Sequence, residues 1–158
     1  MAGAFAAVLG FTLVLWLTRP IERPPGVTIL ENANVSDPTS LMAAVQTAGL
    51  RGTANVKGAI EEIKRLDNER VTIRGWAADT GTSDSSLSVI VFASGTHVLT
   101  TALKGASMNM ASIFRPFDKG AANNAFEGTF TCRPDGKLIV VVVTPDRTYS
   151  QFRSLVCP

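Results

Sequence analysis

The sequence predicts an all-β fold, an immunoglobulin-like antiparallel β-sandwich, preceded by a single N-terminal transmembrane helix and a proline-rich spacer with a short helix. Between residues 56 and 158, short apolar segments alternate or are β-branched, and turn residues separate them at spacings of about ten residues. No alternation of strands with helices is visible there. Residues 2–18 carry no charged side chain, although 18% of the whole chain is charged. These observations predict an anchored sandwich.

We divide the 158 residues into three parts: an anchor over 1–19, a linker over 20–55 and a β-sandwich domain over 56–158. A chain of this length accommodates one ordinary domain with an appendage. The net charge is +2 and the basic residues are not clustered, so nucleic acid is not an expected partner. No phosphate-binding, dinucleotide-binding or Gly-x-Ser-x-Gly motif is present, and we expect no cofactor.

The uncharged N-terminal segment predicts a single-pass anchor in the lipid bilayer. As a helix it would span about 26 Å, near the lower limit for crossing the hydrocarbon core. A cleaved signal peptide is the competing interpretation, but the run ends in "WLTRP", which offers no small-x-small cleavage site. A start codon further upstream, with a basic segment before the helix, is a second alternative. The predicted membrane-facing residues are Phe5, Leu9, Phe11, Leu13, Leu15 and Trp16.

Two cues disagree on orientation. Arg19 and Arg23 follow the anchor, which by the positive-inside rule places the domain in the cytoplasm. The cysteines, Cys132 and Cys157, are even in number and both lie in the domain, which favours a disulfide in an oxidising compartment. Two buried free thiols are the alternative. We expect the domain on the periplasmic side of the inner (cytoplasmic) membrane.

The linker carries prolines that argue against a helix over residues 20–38 and favour an extended spacer. Asp37 and Pro38 have the pattern of an N-cap and a first helical residue, and Gly49 that of a helix stop. A short helix over 38–48 follows, with Leu41, Met42, Val45 and Ala48 on one face. This helix is expected to pack on the domain or on a partner.

The strands follow in order. "VKGAIEEIKRL" fits a helix or a strand, and "DNE" after it fits a hairpin turn before the strand "ERVTIRGWA". Ser94-Gly95 predicts a hairpin between "SLSVIVFA" and "THVLTTAL". "KLIVVVVT" has the β-branched, apolar character of a central strand buried on both faces. The remaining strands are "AFEGTFTC" and "YSQFRSLVC", so that Cys132 and Cys157 are expected at the same edge of neighbouring antiparallel strands.

The stretch Gly75-Trp76-Ala77-Ala78-Asp79, with the hairpin after it, resembles a bacterial extracytoplasmic β-sandwich accessory module that has Gly-Trp-Ala-x-Asp at the end of a strand. The resemblance spans about residues 56–158. It implies a module appended to secreted or membrane-linked proteins, often near glycan-handling enzymes. Trp76 is then expected to fill the core, with a sugar-stacking platform as the alternative.

Asp79-Thr80-Gly81 also resembles the catalytic triplet of retroviral-type aspartic proteases, which would need a second carboxylate from a dimer. The family's brace, two apolar residues and a glycine, is missing from "LIVVVVTPDR". The competing interpretation is a polar turn held by the Asp79 side chain. Asp79 and Asp84 could also share a calcium ion, but no metal site is expected, and His97 as the only histidine allows no histidine-based metal site.

The segment "KGASMNMASIFRPFDKGAANNAF" is too apolar for a solvated loop. We expect it to contact a partner protein or the membrane surface, and a lid over one end of the sandwich is the alternative. Its candidate partner-binding residues are Met108, Met110, Phe114, Arg115 and Phe117.

The function expected from these features is that of a non-catalytic accessory or scaffolding subunit in a larger membrane protein complex. A glycan-binding module of the cell envelope is the first alternative, with Trp76 and Tyr149 as the plausible aromatic platforms. An aspartic protease that uses Asp79 is the second alternative. No small-molecule ligand follows from the sequence.

Overall fold

A computed structural model describes residues 23–81, 86–103 and 124–158. Within these ranges the protein is mostly β-structure and forms two packed sheets, which confirms the predicted all-β sandwich. The predicted membrane anchor over 2–18 lies outside the described residues. Among the described residues, no helix is long and apolar enough to cross a bilayer.

The elements come in the following order. The helices are α1 (Val27–Glu31) and α2 (Pro38–Thr47); the strands are β1 (Arg51–Gly52), β2 (Val56–Arg65), β3 (Arg70–Asp79), β4 (Leu87–Ala93), β5 (Thr96–Leu103), β6 (Ala125–Thr131), β7 (Lys137–Val143), β8 (Thr148–Gln151) and β9 (Leu155–Val156). The ambiguous segment "VKGAIEEIKRL" is therefore a strand. It carries a β-bulge between Ile60 and Glu62.

The larger sheet has the order β1-β8-β7-β4-β5, with β9 also paired to β7. Its pairings are antiparallel except that of β1 with β8, which is parallel. The smaller sheet has the order β2-β3-β6 and is antiparallel. Ser94 and Gly95 both have positive φ, as a two-residue hairpin turn requires, and they join β4 to β5 as predicted.

The main core lies between the two sheets. Val71, Ile73 and Phe126 of the smaller sheet pack against inward residues of β4 and β7. Both of these central strands are buried on their two faces, since their other side packs under the helices. The prediction that "KLIVVVVT" is a doubly buried strand is confirmed.

The helices form a third layer on the outer face of the larger sheet. Leu30 of α1 and Leu41 of α2 are buried against Phe92 and Val141. Asp37 caps α2, because its carboxylate accepts a hydrogen bond of 2.8 Å from the Ser40 N–H. The sequence led us to expect an extended spacer over 20–38, but its described part folds onto the sheet.

The face of α2 differs in one residue from the prediction. Met42 is 50% exposed, whereas Leu41, Ala44 and Val45 are buried. The helix ends as expected, with Ala48 at the C-cap and Gly49 in the left-handed region.

The disulfide joins the two sheets. Cys132 follows β6 and Cys157 follows β9, with a Cα–Cα distance of 6.3 Å. The predicted pairing is confirmed, but the predicted location at neighbouring antiparallel strands is wrong. The reason is that β6 belongs to the smaller sheet, while β9 pairs with β7 in the larger one.

Candidate functional site

The outer face of the smaller sheet carries a partly exposed tryptophan, and we call this surface the Trp76 face. Strand registers place Ala59 of β2 and Ala125 of β6 directly beside Trp76 on this side. Directly paired residues of antiparallel strands point to the same face. Since both neighbours are alanines, the indole is the only large side chain in its row.

The next row of the Trp76 face is charged. Arg74 Nη1 lies 3.4 Å from Glu62 Oε2, and Arg74 Nε lies 3.5 Å from Glu127 Oε2. The three side chains are 38%, 50% and 62% exposed in the order Arg74, Glu62, Glu127. Ion pairs at such exposure contribute little to stability because water screens them. The two carboxylates therefore add little to the fold while remaining exposed to a partner.

The expectation that Trp76 fills the core is wrong. From Arg70 to Ala77 the buried residues of β3 alternate, as Val71, Ile73, Gly75 and Ala77, and this alternation turns Trp76 to the opposite side. The same alternation was visible in the sequence. The expectation of burial rests on the resemblance to the accessory module and not on the strand pattern.

Asp79 ends β3 at the edge of the core. Its side chain accepts a hydrogen bond of 2.8 Å from the Gly81 N–H, and the residue is only 6% exposed. The Thr80 N–H donates to the Asn55 carbonyl at 2.9 Å. This geometry is that of an Asp-stabilised turn, the interpretation that competed with a catalytic carboxylate.

The two aromatic residues that the glycan alternative needed lie on different sheets. Tyr149 of β8 packs with the helix layer, and its hydroxyl lies 3.9 Å from Met42 Sδ. Trp76 belongs to the opposite outer face. The structure does not bring them together into one platform.

Several predicted positions lie outside the described residues. They are the anchor residues Phe5, Leu9, Phe11, Leu13, Leu15 and Trp16, the candidate calcium ligand Asp84, and the partner-binding residues Met108, Met110, Phe114, Arg115 and Phe117. Within the ranges 23–81, 86–103 and 124–158, no group of three or more His, Cys, Asp or Glu side chains could hold a metal ion. His97 packs edge-on to Phe92, and its Nε2 lies 2.8 Å from Thr100 Oγ1.

No protein-family model and no curated protein matches this sequence. The Gly-Trp-Ala-x-Asp resemblance therefore stays a prediction. Among solved structures, the sensor domain of the anti-sigma factor RsgI4 from Pseudobacteroides cellulosolvens shows a weak fold-level resemblance. A short form of that domain matches with a TM-score of 0.43 and 11% identity, covering 67% of this chain and 97% of that one. Its solution structure matches with a TM-score of 0.42 and 10% identity, covering 65% and 74%.

Proposed function

We propose that this protein is a non-catalytic accessory or scaffolding subunit that binds a protein of a larger membrane assembly. In this proposal an immunoglobulin-like sandwich stands on the periplasmic side of the inner membrane, held there by the segment 2–18. The buried disulfide between the sheets supports an oxidising compartment. Because Cys132 and Cys157 are 25 residues apart in the chain, the cross-link closes a long loop and so stabilises the folded domain.

The Trp76 face carries the proposal. The helices α1 and α2 cover the outer face of the larger sheet, and neither packs on the smaller one. Trp and Arg are the residue types most enriched at the energetic centres of protein interfaces. Here Trp76 and Arg74 lie next to each other on the outer face of β3, with the carboxylates of Glu62 and Glu127 on either side of Arg74. This composition suits a protein partner.

The proposal is tested by extracting the protein from its native membrane in mild detergent and identifying what co-purifies by mass spectrometry. A stoichiometric membrane-protein partner is expected. Trp76→Ala should remove that partner, whereas Ile29→Ala, an exposed apolar residue of α1, should retain it. If wild-type protein emerges alone, the accessory role is wrong.

The apolar segment with Met108, Met110, Phe114, Arg115 and Phe117 is a second proposed contact with the partner. Replacing Phe114 and Phe117 together by Ser separates this role from that of a lid. A contact predicts loss of the partner with an unchanged melting temperature of the protein. A large drop in melting temperature would instead assign these rings to the fold.

A glycan-binding module is the second candidate, and the outward position of Trp76 favours it. An indole between two alanines can stack on a sugar ring, and the neighbouring carboxylates can accept hydrogen bonds from hydroxyls. The separation of Tyr149 from Trp76 leaves this candidate with one described ring instead of two. Binding of cell-envelope saccharides that Trp76→Ala abolishes, without a protein partner in the membrane extract, would favour it over the accessory role.

A further inference from the structure

A cleft opens along one side of the sandwich, where β2 ends the smaller sheet and residues 150–155, beyond the pairing of β1 with β8, border the larger one. It has a volume of about 500 Å³ and is lined by residues 56–60 and by 150–153 with Leu155. The opposite side is closed differently, since Leu99 of β5 lies over Gly128 of β6. A second cleft of about 450 Å³ lies on that side, between β5 and the end of β6, and is lined by Thr96, Val98 and Thr131. The two sides of the sandwich therefore differ in what lines them, and the β2 side is the one where an outward-facing strand backbone borders the cleft.

The backbone of β2 points hydrogen-bonding groups into this cleft. Ala77 donates its N–H to Asn124, on the β6 side of β3. Backbone groups alternate along an antiparallel strand, so those of Trp76 point the other way and pair with Ala59. The same alternation turns the N–H and C=O groups of Gly58 and Ile60 outward. Among the described residues, β2 has no pairing partner other than β3.

The edge of β2 is protected in one half and bare in the other. Charged side chains and a β-bulge are the usual devices that keep an edge strand from pairing with another chain. From Glu61 onward β2 has both, with the bulge at that residue and then Glu62, Lys64 and Arg65. The preceding Gly58-Ala59-Ile60 has neither. This uncharged stretch lines the cleft, and Lys57 next to it is the one charged residue among residues 56–60.

The charged side chains that line the cleft favour an acidic ligand. Lys57 on β2 and Arg153 after β8 are both exposed and both line it, and none of its lining residues is a carboxylate. The floor is apolar, because the Phe152 ring lies against Gly58, with Ile60 nearby. A strand that enters here meets two cations at the rim and an apolar floor. Ala59 also adjoins Trp76, so the cleft is continuous with the Trp76 face.

We infer that β2 accepts one additional strand, an extended acidic segment of the partner protein, which pairs with the outward backbone groups of Gly58 and Ile60. This inference rests on the proposed accessory function and names how the partner docks. Main-chain hydrogen bonds supply the affinity in such strand addition, and side-chain contacts supply the selectivity. Carboxylates on the added strand meet Lys57 and Arg153.

The probe is a short peptide of alternating Thr and Glu residues, which favours an extended conformation and cannot pair without its backbone N–H groups. Two control peptides have Lys in place of Glu, or N-methylated backbone amides at alternate positions. We expect the acidic peptide alone to bind the full-length protein in detergent, with an affinity that weakens as salt is raised. Hydrogen exchange should slow at the amides of Gly58 and Ile60 when it binds. Equal binding of the Lys peptide, or of the N-methylated one, would overturn the inference.

Charge reversal tests the same site from the protein side. Lys57→Glu with Arg153→Glu should weaken binding of the acidic peptide roughly tenfold or more, because two attractive contacts become repulsive. Lys64→Glu, on the same strand beyond the bulge, is the matched control and should bind as the wild type does. An unchanged affinity in the double variant contradicts the assignment.

The native partner distinguishes this inference from the proposed function. If the wild-type protein brings down a partner and the Lys57→Glu, Arg153→Glu variant retains it, the accessory role stands and the strand-docking site is wrong. If the wild type brings down no partner, the accessory role itself fails, whatever the peptide does. Loss of the partner in the double variant but not in Lys64→Glu supports both.

Discussion

Gly58 lies where the two sheets meet at the cleft, and its missing side chain makes room for its neighbours. A Cβ at this position would overlap both the Phe152 ring and the carbonyl oxygen of Trp76. The ring is a side chain that can change its rotamer, but the carbonyl belongs to the β2–β3 ladder and is fixed by it. Gly58 is therefore required by a close backbone approach.

We expect Gly58→Ala to destabilise the protein by about 1–3 kcal/mol, as overpacking typically does. Gly128→Ala is the comparison, because the atoms nearest to its added Cβ belong to the flexible Leu99 side chain. The Gly128→Ala variant should lose less stability than Gly58→Ala does. Urea unfolding measures both, and a larger loss at Gly128 would contradict the assignment of the rigid obstacle at Gly58.

A conservative substitution at Asp79 distinguishes a structural role in a turn from a catalytic role. The turn needs an oxygen to accept the 2.8 Å hydrogen bond from Gly81, and an Asn side chain supplies one. Asp79→Asn should therefore keep most of the stability, while Asp79→Ala should lose about 0.5–1.5 kcal/mol, the net contribution of the hydrogen bond from the exposed Gly81. A protease would instead lose all peptide-bond hydrolysis in Asp79→Asn, measured on purified dimer.

At the scale of elements, the β2–β3 turn is held by one carboxylate. Asp67 Oδ1 accepts hydrogen bonds from the Arg70 N–H at 2.8 Å and the Glu69 N–H at 3.0 Å, and Arg70 Nε lies 2.6 Å from Oδ2. These bonds, the one from Arg70 first, lower the pKa of Asp67 from 3.8 to about 2. They favour the charged form, so the turn is held best when Asp67 is ionised.

The lowered pKa of Asp67 makes the stability of the protein depend on pH in the acid range. Because the pKa of Asp67 is lower in the folded protein than in the unfolded chain, its stabilising effect is complete above about pH 4 and is lost as the pH falls towards 2. Asp67→Asn should flatten the decline of the urea midpoint over that window. Asp135→Asn, in the turn before β7, is the control. A decline that is as steep in Asp67→Asn as in the wild type would contradict this assignment.

The helix layer is a second element whose role can be measured. Leu41 is 3% exposed under α2, and Leu41→Ala should lower the free energy of unfolding by about 2–5 kcal/mol, as cavity formation in a core does. Met42→Ala, one residue along and 50% exposed, should change it by less than about 0.5 kcal/mol. If both variants are neutral, residues 38–47 act as a spacer and not as part of the fold.

At the scale of the molecule, the strands could be predicted from period-two patterns, and the third layer could not. The prolines at positions 20, 24, 25 and 38 suggest a spacer, and the pattern over 38–48 predicts a short helix without specifying which surface it covers. The signal lay elsewhere: "SLSVIVFA" and "KLIVVVVT" are apolar on both sides, so both faces of their sheet need a cover. The apolar residues Val27, Leu30 and Val45 supply it. The cleft beside β2 was beyond prediction, because it depends on which sheet edges meet.

The orientation of the domain relative to the membrane is a property of the whole chain, and two features of the sequence predict opposite sides. The redox state of the disulfide tests which side is right. Arg19 and Arg23 favour a cytoplasmic domain, whereas the buried link from Cys132 to Cys157 favours an oxidising compartment. In the chain-entropy model a loop closed over a separation of 25 residues stabilises by about 3 kcal/mol, so a domain in a reducing compartment would lose a large part of its stability. We therefore expect the domain to lie on the extracytoplasmic side, where the disulfide stays oxidised.

The measurement combines a redox assay with a topology assay on intact cells. Cells are lysed directly into a thiol-alkylating reagent, and the protein is expected to be unmodified until a reductant is added. When the outer membrane of the cells is permeabilised, added protease should remove a tag placed after Pro158. The Cys132→Ser, Cys157→Ser double variant controls for the alkylation and should melt lower than the wild type. A tag that stays protected, together with thiols alkylated at once, would place the domain in the cytoplasm and remove the compartment on which the proposed function depends.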